Sequence, residues 1–61
     1  MQEVSMNEFW LNVGCKNVHP TPEGNYPYTS VFYDPQRREH GRIVSELKNG
    51  KYPVIDRYYL P

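Results

Sequence analysis

Three side chains of this 61-residue chain could bind a soft metal or build a nucleophile: Cys15, His19 and His40. Cys15 and His19, with three residues between them, could supply half of a zinc site. Structural zinc takes four Cys or His ligands, usually in close pairs, and only His40 remains for the other half. The reading is therefore no metal and no cofactor. The same pair could form a thiolate–imidazole dyad, but so short a chain offers little room for an enzyme-sized pocket. Gly14, Gly24, Gly41 and Gly50 stand too far apart to cradle a phosphate together. No catalytic residue is assigned, and the chain is read as non-enzymatic. Asp34 and Asp56 have structural roles to fill, as a turn cap before Pro35 and as a partner for Arg42.

The densest charge lies in QRREHGR, where Arg37, Arg38 and Arg42 surround His40 and only Glu39 offsets them. Guanidinium forks suit phosphates or acidic protein surfaces. With Tyr33 just upstream and the C-terminal tyrosines near, the loop could make a basic-plus-stacking contact with nucleic acid. Against that reading, Lys plus Arg number 7 and Asp plus Glu number 7, so no overall field draws the chain to a polyanion. Tyrosine and arginine also dominate protein-binding hot spots. The expected function is therefore a small accessory protein that binds another protein or a second copy of itself, through Arg37, Arg38, Arg42, Tyr52 and Tyr58. Nucleic-acid binding through the same arginines is the alternative.

The elements that must position these residues are few. A chain of this length buries only about 60% of the surface its unfolded form exposes, so a single domain over residues 1–61 is expected. Its one cysteine cannot close an internal disulfide. No run of about 18 apolar residues exists to cross a bilayer, and the start, MQEVSMNEFW, lacks the basic and apolar regions of a signal peptide; a cytoplasmic protein is expected. In SMNEFWLNVG, Ser5 and Glu8 stand at capping-box spacing and Gly14 at the place of a C-cap. Met6, Phe9, Trp10 and Val13 recur at helical spacing, which predicts a short helix with those four on its buried face. A strand over residues 8–13 is the alternative. CKNVHPTPEG, with two prolines and no periodicity, predicts an irregular connection.

Two stretches repeat a pattern: GNYPYTSVFY from Gly24 and GKYPVIDRYY from Gly50. Each reads as a strand entry, with glycine to turn, proline where a missing N–H does least harm, and aromatics farther on to pack. Strands are predicted near 27–33, 42–47 and 51–59. The fold class is α+β, a short N-terminal helix on a three-stranded antiparallel meander; an all-β sheet of four short strands is the alternative. In the last hairpin, a three-residue loop with Gly50 at positive φ would pair Ile43 with Ile55, Val44 with Val54 and Arg42 with Asp56. That register puts Ile43, Leu47, Ile55 and Tyr59 on the core side. Arg42, Val44, Glu46, Tyr52, Val54, Asp56 and Tyr58 then face outward.

The order of features also carries a resemblance: Trp10 near the start, Pro22-Glu23-Gly24, then SVFYDP and the close PVIDRYYLP. It resembles a family of very small phage- or prophage-borne domains of unknown function. Such domains have an early tryptophan, a Pro-x-x-Gly step, an apolar strand ending in Tyr-Asp and a C-terminal strand closing in Leu-Pro. This chain departs from the pattern, since Trp10 lies farther from the Pro-Gly step and Tyr58-Tyr59 stands where a tryptophan is expected. The resemblance implies a phage or prophage accessory protein and no activity, with a host or phage protein as the expected partner, and carries over no functional residues.

Overall fold

The computed structural model describes the backbone of residues 1–24, 28–48 and 51–61, and the side chains of all of these except 48 and 51–54. Strand β1 (Gln2–Val4) leads into helix α1 (Met6–Val13). Then follow β2 (His19–Glu23), β3 (Tyr28–Tyr33), β4 (Glu39–Lys48) and β5 (Lys51–Leu60). All strand pairs are antiparallel, in the order β1-β5-β4-β3-β2. The α+β architecture and its N-terminal helix match the expectation. The meander of three strands is instead the centre of a five-stranded sheet.

Both added strands lie at the edges. The chain from Cys15 to Gly24 is not irregular throughout: β2 runs through Pro20 and Pro22. Proline has no N–H to donate, so donation to β3 falls to His19, Thr21 and Glu23, and the outer edge lacks donors at both proline positions. Such an edge strand survives two prolines because it needs hydrogen bonds on one side only.

Helix α1 starts where Ser5 Oγ accepts the Glu8 N–H at 3.2 Å, as the capping pattern predicts. At its other end Gly14 donates its N–H to the Trp10 carbonyl at 2.9 Å with ordinary right-handed dihedrals (φ −66°, ψ −20°). The left-handed cap that glycine offers is not used. Phe9 and Val13 are the buried pair of the helix, while Met6 and Trp10, expected beside them, are 53% and 44% exposed. At about 1.5 Å per residue an eight-residue helix covers roughly 12 Å, against roughly 33 Å for a ten-residue strand. It therefore covers only one end of the sheet.

At that end Phe9 and Val13 meet Phe32, with Val4, Val18, Ile43, Tyr58 and Leu60 packed around them. The Phe9 ring stands 5.1 Å from Trp10, 5.5 Å from Phe32 and 5.4 Å from Tyr58, between centroids. Gly41 makes this approach possible: a Cβ there would lie 2.8 Å from Phe9 Cε2 and 3.1 Å from Val13 Cγ2.

The hairpin register differs from expectation. Ile43 faces Tyr58 rather than Ile55, Val44 faces Arg57 rather than Val54, and Arg42 faces Tyr59 rather than Asp56. The cause is an irregularity near the turn. Lys48 pairs with Lys51, but Leu47 pairs with Val54, so β5 carries Tyr52 and Pro53 as extra residues. A bulge there suits a proline, which cannot donate to the ladder. The resulting slip of three residues is odd, and an odd slip turns every side chain of one strand to the other face. Ile43 and Leu47 keep the helix side. On β5, however, Tyr58 joins the core, whereas Ile55 and Tyr59 turn to the opposite face. The expected positive φ of Gly50 lies outside the described residues.

A second bulge sits where β4 begins. Phe32 pairs with Gly41 but Tyr33 with Glu39, leaving His40 as the extra residue. This resets the alternation, so Glu39 and Arg42, which a regular strand would place on opposite faces, share one.

Candidate functional site

The turn between β3 and β4 is built around one carboxylate. The Arg37 N–H donates to the Asp34 carbonyl at 2.8 Å, and the Asp34 N–H donates to the Arg38 carbonyl at 3.1 Å. The Asp34 side chain closes the turn, accepting the Arg38 backbone N–H at 2.8 Å and Arg38 Nε at 3.0 Å. The bulge aims His40 at the same group, with Nε2 2.9 Å from Asp34 Oδ2. These bonds, from His40 first and then from Arg38, hold the Asp34 carboxyl at a pKa of about 2, against the desolvation that would raise it. Asp34 is thus a turn cap, as its place before Pro35 suggested.

Among the described residues, the expected binding side chains do not gather on one surface. Arg38 is exposed but bridged to Asp34. Arg42 projects from β4 on the face away from the helix, where Glu39 takes both its Nε (2.9 Å) and an Nη (2.7 Å). That bond and the Glu39 charge raise the guanidinium pKa further. Arg42 neighbours Val31, which is fully buried although no helix covers that face. Tyr58 is not on an outward strip, because the register turns it into the core against Phe9. The Tyr52 side chain lies outside the described residues. Asp56, expected to partner Arg42, accepts the Ser45 hydroxyl at 2.7 Å instead. Arg57 is held by Glu46 at 3.1 Å and lies 3.6 Å from Glu3, joining β5 to both neighbouring strands.

Arg37 is the exception. It is exposed and, among the described residues, makes no ion pair. Its φ of +64° is left-handed, a conformation that L side chains avoid at a cost of roughly 1–2 kcal/mol. Its guanidinium carbon sits 6.0 Å from the centroid of the Tyr33 ring. Tyr33 is fixed in turn by donating its hydroxyl to Glu23 Oε1 at 2.7 Å, a bond that raises the phenol pKa, as do burial and the Glu23 charge. Around this stack His19, Thr21, Tyr33, Asp34, Pro35 and Arg37 line a shallow concavity of about 300 Å³. Tyr33 is the ring expected beside the arginine loop, whereas His19 and Thr21 are not expected there, because only β2 brings His19 opposite Tyr33 and the sequence between Cys15 and Gly24 reads as an irregular connection.

A second surface lies on the helix. Asn7, Trp10 and Leu11 line a concavity of about 370 Å³, with Met6 one turn before Trp10. Leu11 is 77% exposed, on the side away from Phe9 and Val13. It is also the apolar helix residue outside the stripe that marks the buried face, which was a legible sign of a second apolar surface. Among the described residues, no group of three or more Cys, His, Asp or Glu side chains is placed to hold a metal ion. The chain matches no protein-family model, no curated protein and no solved structure.

Proposed function

We propose that the chain is a small non-enzymatic accessory protein that binds another protein through the outer face of α1. The observation that carries this reading is the character of that face. A surface helix normally turns charged and polar residues to water. Here Met6, Trp10 and Leu11 point outward, and Glu8 is the one charged residue in MNEFWLNV. Trp10 gives part of its ring to Phe9 and Phe32 and leaves the rest exposed, the posture of a rigid aromatic anchor. The matching partner surface is an apolar groove that receives a short helix. In the phage-accessory reading, that groove belongs to a host or phage protein. Edge-to-edge strand addition at β2 is disfavoured by Pro20 and Pro22. The nucleic-acid alternative is weakened because Arg38 and Arg42, two of its three arginines, are occupied by Asp34 and Glu39.

Leu11→Arg tests the proposal. Leu11 contributes little to the core, so the variant should keep its thermal midpoint while losing most partner capture in pull-downs from the native host. Trp10, the single tryptophan, should shift its emission to shorter wavelength when the captured partner is added to the unaltered protein. Undiminished capture by Leu11→Arg, with Trp10 emission unmoved by the partner, would remove the helix face from the function.

A further inference from the structure

We infer that the concavity beside Arg37 is a binding site for a phosphoryl group, separate from the helix face and not dependent on the protein-partner reading. Three donors of different kinds meet there: the Arg37 guanidinium, the His19 imidazole and the Thr21 hydroxyl. The nearby carboxylates are already engaged. Asp34 accepts from Arg38 and His40, and Glu23 accepts the Tyr33 hydroxyl. Arg37, in contrast, has no carboxylate partner among the described residues; its guanidinium lies over the Tyr33 ring at 6.0 Å, the outer range of a cation–π contact, with its N–H edges free to form a fork. A planar fork beside a ring nitrogen and a hydroxyl is the donor set that tetrahedral oxyanions take.

The backbone supplies a second, independent reason. The turn places its left-handed residue at position 37, where glycine would be at ease, yet an arginine stands there. Strain of this kind is found at ligand clamps, where the side chain is needed at that spot. Both histidines of the chain also lie at this end of the molecule, His19 in the concavity and His40 bound to Asp34. Free phosphate and a phosphate ester present the same chemistry to these donors.

NMR titration of the amide-labelled full chain with inorganic phosphate, with adenosine 5′-monophosphate and with adenosine tests the site. Saturable shifts at His19, Thr21, Tyr33 and Arg37 are expected with the first two probes and none with adenosine. Tighter binding of the nucleotide identifies a phosphate ester as the ligand, and equal binding identifies free phosphate; either outcome supports the site. Arg37→Gly relieves the backbone strain, so the variant should fold at least as well while binding phosphate about tenfold more weakly, as loss of a charge-assisted contact implies. His19→Gln should weaken binding without changing the turn. Non-saturable shifts, shifts centred elsewhere, or unchanged affinity in Arg37→Gly would overturn the assignment.

Discussion

Two neighbouring residues in one turn, Asp34 and Arg37, act on stability in opposite directions. Arg37 holds a left-handed backbone at a cost of roughly 1–2 kcal/mol. Glycine removes that cost but gives back roughly 0.5–1 kcal/mol in unfolded-chain entropy. Arg37→Gly should thus raise stability by about 0.5–1 kcal/mol in urea denaturation; a clear loss would mean that the stack on Tyr33 outweighs the strain. Asp34 does the reverse and ties the turn together. Its carboxyl is lowered from 3.8 to about 2 in the folded chain, so its contribution is complete above the unfolded value and is lost as pH falls through the folded one. The urea midpoint should drop between about pH 4 and pH 2, and Asp34→Asn should be less stable at neutral pH with a flatter acid limb. An acid limb unchanged in that variant would place the acid sensitivity elsewhere. The capping role of Asp34 was legible from its place before Pro35. The pairing of Arg42 with Glu39 was not, because it depends on a bulge at His40 that no local signal marks.

At the scale of elements, the helix was readable because three separate features agreed: the Ser5 cap, the recurrence of Phe9 and Val13, and Gly14 at the end. The central strands were readable from their β-branched and aromatic runs. Register was not, because choosing the most complementary pairs assumes an unbroken ladder, and Tyr52 with Pro53 breaks it near the turn. The error was confined to β5, so the faces of β4 were read correctly while Tyr58 and Tyr59 were exchanged. This has a direct consequence for substitution. Tyr58→Ala should cost a few kcal/mol as a large-to-small core change, and Tyr59→Ala clearly less. Cross-strand NOEs should join Ile43 to Tyr58; contacts of Ile43 with Ile55 would restore the other register. Gly41 tests the helix–sheet contact from the opposite direction. Its added Cβ would meet Phe9 at 2.8 Å, so Gly41→Ala should destabilise by about 1–3 kcal/mol through overpacking, although alanine is the smallest possible addition. A neutral Gly41→Ala in thermal melts would mean that α1 can lift off the sheet without penalty.

For the whole molecule, the decisive fact is how few side chains hold its two layers together. Among the described residues the fully buried apolar side chains are Phe9, Val13 and Val31, with Phe32 nearly so. Val31 lies on the face without a helix, beside Thr21 and Arg42, so it fastens strands to one another rather than helix to sheet. The contact between layers rests on Phe9 and Val13. Ion pairs add little to this: Arg57 with Glu3 and Glu46 lies in water, where such pairs are worth about 0–1 kcal/mol. At about 0.05–0.15 kcal/mol per residue, a chain of this length has roughly 3–9 kcal/mol of stability in all. Phe9 touches the rings of Trp10, Phe32 and Tyr58 at once, and truncating such a residue costs about 3–5 kcal/mol. Phe9→Ala should therefore remove a large share of the total and leave a substantial unfolded population at room temperature. Collapsed amide dispersion in NMR and a lost thermal transition would report it. Leu11→Ala, on the same helix but 77% exposed, should stay within about 0.5 kcal/mol of the unaltered protein. If Phe9→Ala instead melts cooperatively with only a small shift, the sheet is stable without its helix, and α1 is then free to leave it when a partner takes up Trp10 and Leu11.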